Sequence, residues 1–295
     1  MIIMKKSLFV VLCLCFCAVF KAQTVPNFPL PQNPDTLRIL AIGNSFSEDG
    51  TTYLPQLLQA AGINNVILGH LTLGGCSLER HCVLYEKGEA IYTYYKSVNN
   101  AWKTVKDKNA SFLDGICDEP WNIISIQQVS NLSGVWDSFN PWLSKNIEMI
   151  RKHCSNPKAT IVWHKTWAYS RKSTHKAFPT YEKDQEKMYN MINQCVDKLQ
   201  QAEDISIIIP SGTTIQMLRS TRLCGDNDLT RDGFHLDRQC GRYAAACTWF
   251  EALIKPTLGI SVKKAKTCLE GTEYELSTKD AKLCRKTAIK AVESL

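Results

Sequence analysis

Five short apolar runs punctuate the chain: "LRILAIGNS", "NVILGHLTLGG", "WNIISIQQ", "ATIVWHKTWA" and "DISIIIPSG". They are rich in β-branched residues with few polar interruptions, so each reads as a strand buried on both faces. Segments long enough for helices separate them, at 51–62, roughly 83–105, 140–154 and 180–202. This β-α-β-α rhythm predicts parallel strands joined by right-handed crossovers: an α/β fold, a three-layer α/β/α sandwich around a five-stranded parallel sheet. Sheets of this kind hold ligands outside the carboxyl ends of their strands, so the residues that end each run are where chemistry is expected. Past the fifth run, "GTTIQMLRST" and "DRQCGRYAAACTWFEALI" read as helices. A last helix starts near "STKDAKLC", with Ser277 as its N-cap.

At 295 residues, with 44% hydrophobic and 21% charged, the chain can bury one sizeable core. Its first residues set Lys5 and Lys6 before an apolar stretch from Leu8 to Phe20 that is too short to span a bilayer. The expected division is a signal peptide over 1–22, a Pro-rich segment over 23–36, a main domain over 37–258 and a helical extension over 259–295 packed on it. Cys13, Cys15 and Cys17 each follow a bulky Leu or Phe, which disfavours lipid attachment. The mature protein is therefore expected to be secreted or periplasmic, without stable membrane insertion.

Removing Lys5, Lys6 and Lys21 with the leader lowers the formal charge from +7 to +4. No long basic run or basic-aromatic interleaving remains, so a nucleic-acid partner is not expected. Of 13 cysteines, ten lie beyond the leader, in a setting where disulfides persist. No C-x-x-C pair or Cys/His spacing suggests a metal. Cys268 with Cys284 is one candidate bridge.

Four stretches could carry chemistry. In "AIGNSFSEDG" the first strand stops at Gly43 and Asn44 and presents Ser45, with "FSED" as the connecting turn before a helix near Thr51 or Thr52. A serine hydroxyl becomes a nucleophile only when a base takes its proton. In "DLTRDGFHLDRQCGRYAAAC", Asp232 and His235 stand three residues apart, so the acid can fix the imidazole tautomer that leaves the other nitrogen free for Ser45. "LTLGGCSLERH" ends the second strand on Gly74 and Gly75, whose backbone freedom lets an N–H approach a negative oxygen, with the Ser45 N–H as a second donor. The third strand ends on Gln127 and Gln128, with Asn131 three residues on, and side-chain amides are neutral donors for the same oxygen. Around these, His164 is a candidate for the pocket wall, Trp163, Trp167 and Tyr169 for a sugar-stacking platform, and Arg80 and His81 for contact with an acidic or hydroxylated substrate.

Together these stretches resemble the SGNH hydrolase superfamily, the GDSL-type esterases, over most of residues 37 to 255. "GNSFSED", "GGCSLERH", "QQVSNLSG" and "TRDGFHL" also look like a secreted branch of that superfamily catalogued as a domain of unknown function. The resemblance implies a flavodoxin-like sheet with Ser45 as nucleophile, Asp232 and His235 as its partners, and Gly75 in the oxyanion hole. Asn44 stands where the family commonly has Asp, and the family's G-x-N-D block is absent, which leaves the third oxyanion donor among Gln128, Gln127 and Asn131, with Gln128 preferred. An α/β-hydrolase fits less well, because position 47 is Ser where G-x-S-x-G needs Gly.

The expected function is a secreted serine esterase acting through an acyl-serine, without metal or organic cofactor. An O-acetylated carbohydrate is the favoured substrate, a lipid or thioester acyl group staying open. The alternative is a non-catalytic glycan-binding or surface-assembly module on the same fold.

Overall fold

A computed structural model describes residues 27–203 and 205–295. The leader over 1–22 lies outside the described residues. Seven strands form one sheet: β1 (Leu37–Gly43), β2 (Val66–Thr72), β3 (Ala90–Val98), β4 (Ala101–Ser111), β5 (Ile123–Ile126), β6 (Thr160–His164) and β7 (Ile208–Ile209), in the spatial order β4-β3-β2-β1-β5-β6-β7. The pairs among β2, β1, β5, β6 and β7 are parallel, in the 2-1-3-4-5 order of a flavodoxin-like sheet, whereas β3 and β4 pair antiparallel.

The sheet therefore has seven strands, not five, because a hairpin occupies much of the segment expected to be one helix over 83–105. Tyr92 and Tyr94 are buried while their neighbours Ile91, Thr93 and Tyr95 are half-buried, an alternation that suits a strand. Asn99 and Asn100 close the hairpin with φ of 58° and 59°, the left-handed pair of a two-residue type I′ turn. A short helix, α3 (Leu78–Glu86), takes only the start of the segment.

The remaining helices are α1 (Ser45–Thr51), α2 (Leu54–Ala60), α4 (Phe112–Ile116), α5 (Trp142–His153), α6 (Gln185–Ala202), α7 (Ser211–Arg219), α8 (Cys240–Trp249), α9 (Lys255–Leu258) and α10 (Thr278–Glu293). A π-helical turn, Phe250–Ile254, joins α8 to α9. Along β1, Leu37, Ile39 and Ala41 face a core shared with α1, α2, α7 and α8, while Leu40 and Ile42 face a second core with α3, α4 and α5. That period of two, apolar on both sides, is what a covered parallel strand requires.

The extension ends in α10, capped by the Ser277 side chain, which accepts from the Asp280 N–H. Its buried face, Ala281, Cys284 and Ala288, packs on α7 and α8. The ten cysteines of the described residues are free thiols, and Cys284 faces the Cys240 carbonyl oxygen at 3.8 Å, so it does not bridge to Cys268. No helix among the described residues is long and apolar enough to cross a membrane.

Candidate active site

β1 ends on a glycine because the chain is crowded there: a Cβ at position 43 would meet Ser47 Oγ at 2.6 Å and the Gln127 side chain at 3.0 Å. Asn44 then takes extended dihedrals and caps α1, its Oδ1 accepting from the Phe46 N–H at 3.0 Å. The helix accordingly starts at Ser45 itself rather than near Thr51, and "FSED" is its first turn. This places Ser45 at the first helical position, where the N–H has no intrahelical acceptor, and it finds no other among the described residues. An oxyanion next to Ser45 would meet that free donor and the positive end of the helix dipole.

Asn44 also donates from Nδ2 to the Cys76 carbonyl at 3.0 Å, a bond an ionised aspartate could not make. Asn44 thus ties the Ser45 turn to the glycine turn after β2. There Cys76 N–H bonds Leu73 O at 3.0 Å around Gly74 and Gly75, and Leu73 N–H bonds Gly43 O at 3.1 Å. Gly75 sits at φ +63°, a left-handed position that favours glycine, and its own N–H has no acceptor among the described residues.

On the far side, Asp232 and His235 lie in a tight loop between α7 and α8, pinched by a bridge between Thr230 and Leu236. His235 Nε2 lies 2.8 Å from Ser45 Oγ and His235 Nδ1 lies 2.6 Å from Asp232 Oδ2. Asp232 Oδ1 further accepts the N–H groups of Phe234 and His235, at 3.1 and 2.8 Å. Burial pulls the Asp232 carboxyl upward, but the hydrogen bonds from His235 and from these two N–H groups outweigh it and hold it below the usual carboxylate range. The ionised acid therefore favours the tautomer with Nδ1 protonated, leaving Nε2 to accept from Ser45.

Two devices join this loop to α1. Asp49, fully buried one turn after Ser45, receives Arg231 Nη1 at 3.0 Å, Arg242 Nε at 2.7 Å and the Leu236 N–H at 2.9 Å. Phe46 stacks on Trp167 at 4.4 Å with planes 11° apart, and Trp167 Nε1 donates to Phe234 O at 2.8 Å. Sequence reasoning missed Asp49 and both arginines. The available signal was an acidic residue four positions after Ser45, facing two arginines that flank Asp232 and His235.

Several expected site residues are elsewhere. Gln128 is not an oxyanion donor: its Nε2 serves Ser138 O and Oγ at 3.0 and 3.1 Å, and its Oε1 accepts from Leu78 and Val129 N–H. Gln127 is buried, donating to Asn44 Oδ1 at 3.0 Å and accepting from His164 Nδ1 at 2.8 Å. His164 does not line a pocket. It is buried, with Ser211 Oγ 3.0 Å from Nε2, and burial pushes its pKa down to about 3. Trp167 is 0% exposed and so offers no platform to a sugar; Trp163 and Tyr169 are also core residues.

His81 is buried too, stacked on Tyr92 with Nδ1 2.9 Å from its hydroxyl. Arg80 is exposed on the first turn of α3, with no side-chain partner among the described residues. Asn131 is half-buried in the loop after β5. Its carbonyl accepts from Tyr181 Oη at 3.0 Å, and its side-chain amide has no partner among the described residues.

An α/β sheet that gathers a hydrogen-bonded serine, histidine and aspartate at its carboxyl edge defines the general class. The chain belongs to the family described as "Domain of unknown function (DUF4886)", which matches residues 38–291. A crystal structure of a DUF4886 family protein from Bacteroides uniformis ATCC 8492 is 37% identical, with a TM-score of 0.79 over 88% of this chain and 95% of that one. An acetylxylan esterase from Geobacillus stearothermophilus is similar at 11% identity and a TM-score of 0.45, over 84% and 99% of the two chains. A carbohydrate esterase family 3 protein from Talaromyces cellulolyticus is similar at 14% identity and a TM-score of 0.46, over 77% and 100%. No curated protein matches the sequence.

Proposed function

We propose that the protein is an exported serine esterase of the SGNH type. The observation that carries this reading is the continuous relay from Ser45 Oγ through the His235 ring to Asp232, with hydrogen-bond distances of 2.8 and 2.6 Å. His235 Nε2 takes the Ser45 proton as Oγ attacks the ester carbonyl, and the resulting imidazolium is balanced by Asp232. The tetrahedral oxyanion is held by the Ser45 and Gly75 N–H groups. With the Gln127 and Gln128 amides committed elsewhere, the third donor falls to Asn131. His235 then returns its proton to the leaving alcohol, and water resolves the acyl-serine by the same steps in reverse.

The side chains of Asp232 and His235 are 39% and 19% exposed, so the relay lies in a shallow surface site. A shallow site suits a small acyl group carried on a large, hydrated alcohol, and an O-acetylated carbohydrate fits better than a buried lipid chain. Ser45→Ala tests the reaction. The substitution should abolish fluorophosphonate labelling and lower p-nitrophenyl acetate turnover by about 10³-fold or more while the circular dichroism spectrum is unchanged. Labelling that survives in Ser45→Ala would reject Ser45 as nucleophile and favour a glycan-binding module without hydrolysis.

A further inference from the structure

Beside α1 lies a cavity of about 210 Å³ that the relay does not use, with walls including Glu48, His70, Tyr95, Trp102 and Arg242. Its position follows from the helix: Glu48 is three residues after Ser45, on the same helical stripe and about 4.5 Å further along the axis. The opposite wall is the β3–β4 hairpin, which pairs Tyr95 directly with His70 and places Trp102 on the same face. Trp102 Nε1 donates to Thr52 O at 3.2 Å, fixing the ring against the end of α1.

Three polar groups on this wall have no protein partner among the described residues: His70 Nδ1, the Tyr95 hydroxyl and the solvent-exposed Glu48 carboxylate. His70 is 3% exposed, and its Nε2 lies 2.9 Å from Ser47 Oγ. The Ser47 hydroxyl gives its proton to Asn44 O at 2.7 Å, so the imidazole must be the donor in that contact. His70 therefore carries its proton on Nε2, since burial keeps the ring neutral, and Nδ1 is a bare acceptor with no partner among the described residues. The Glu48 carboxylate and the Tyr95 hydroxyl likewise make no hydrogen bond or ion pair among the described residues. Burial, and after it the Glu48 charge, raises the pKa of the Tyr95 hydroxyl.

We infer that this cavity is a subsite for one neutral pyranose unit of the glycan whose ester is presented to Ser45. Two unpartnered acceptors and a phenol match the hydroxyl groups on the rim of a sugar ring, and Tyr95 and Trp102 match its apolar C–H face. Glu48 opposes an anionic ligand and Arg242 a cationic one. An acyl chain would leave the lone pair of His70 buried and unpaired, at a cost of about 1–3 kcal/mol. The volume is below the ~300–1,000 Å³ of pockets for larger organic ligands and suits a single ring. The inference rests on the esterase reading for what is bound next door, but not for the sugar site itself.

Unesterified methyl pyranosides and their disaccharides, titrated into the full protein with tryptophan fluorescence and calorimetry as readouts, separate the two ideas. Saturable binding with a Kd of about 1 mM is expected. Glu48→Gln and Tyr95→Phe should each weaken it about fivefold, the loss of one hydrogen bond. Trp102→Phe should remove the fluorescence change. The subsite is overturned if no saccharide saturates at about 50 mM, if Glu48→Gln and Tyr95→Phe bind as wild type does, or if octanoate takes the same site. Fluorophosphonate labelling of Ser45 in the same preparation reports the esterase reading separately. Labelling without sugar binding rejects the subsite alone, and sugar binding without labelling rejects the esterase and keeps the subsite.

Discussion

Asn44 and Gln127 show how a few buried amides fix the turn that carries Ser45. Ser211 Oγ donates to His164 Nε2, His164 Nδ1 to Gln127 Oε1, Gln127 Nε2 to Asn44 Oδ1, and Asn44 Nδ2 to Cys76 O. This chain runs beneath the carboxyl edge from β7 to β2 and is satisfied at each step, so it orients the turn that carries Ser45. Gln127 and Asn131 should therefore fail differently. Gln127→Leu leaves Asn44 Oδ1 and the His164 N–H short of partners and should cost about 1–3 kcal/mol, read as a lower midpoint in urea. Asn131→Ala should leave that midpoint unchanged and lower kcat about 10²-fold, with KM within a factor of about two, if its amide stabilises the transition state. An unchanged kcat would remove Asn131 from the oxyanion hole. The hydrogen-bonded trio of Ser45, His235 and Asp232 was legible as a grouping because Ser45 ends a strand and the other two stand three residues apart on one loop. The glutamines misled because strand ends and buried networks draw on the same polar residues, and only packing shows which partners they take.

At the level of elements, the hairpin is the feature the sequence pattern hid. The five buried parallel strands stood out as apolar runs, but "AIYTYYKSVNNAWKTVKDKNAS" has one tyrosine-rich strand and one whose residues are mostly exposed, so β4 carries little apolar signal. The turn was legible all the same: Asn-Asn is among the pairs that tolerate two left-handed residues in a row. Asn99, at φ 58°, provides the test. Asn99→Val should lower stability by about 1–2 kcal/mol, whereas Asn99→Gly should stay within about 0.5 kcal/mol of wild type, both measured by denaturant unfolding. Equal destabilisation by the two would assign the turn's role to side-chain contacts instead of backbone conformation. The first helix was misplaced for a related reason: Asn44 is both the end of the β1 turn and an N-cap, and a cap three and four residues before Ser47 and Glu48 outweighs their polar character.

Over the whole molecule, buried carboxylates bind late segments of the chain to early ones. Asp49 draws Arg231 and Arg242 onto α1, and Asp228, also fully buried, gathers Ser170 Oγ at 3.0 Å, Arg171 Nη2 at 2.7 Å and Gln185 Nε2 at 3.1 Å. Asp228 thereby fixes the loop after β6, and the Ser170 N–H in that loop donates to Gly233 O at 2.8 Å, beside Asp232. Burial alone would raise the Asp228 carboxyl, but the Arg171 side chain and N–H and the Cys224 and Ser170 side chains more than reverse this and hold it well below the usual range. A carboxyl depressed on folding contributes stability that is present above its unfolded pKa of about 4 and is lost as pH falls through the folded value. Asp228→Asn should therefore be less stable than wild type by about 2–4 kcal/mol at pH 7. That gap should persist down to about pH 5 and shrink below about pH 4, as wild type loses its advantage by taking up a proton. Urea midpoints for the two proteins between about pH 3 and 7 measure this directly. A gap that stayed constant to pH 3 would show that the carboxylate's charge is not what holds the loop.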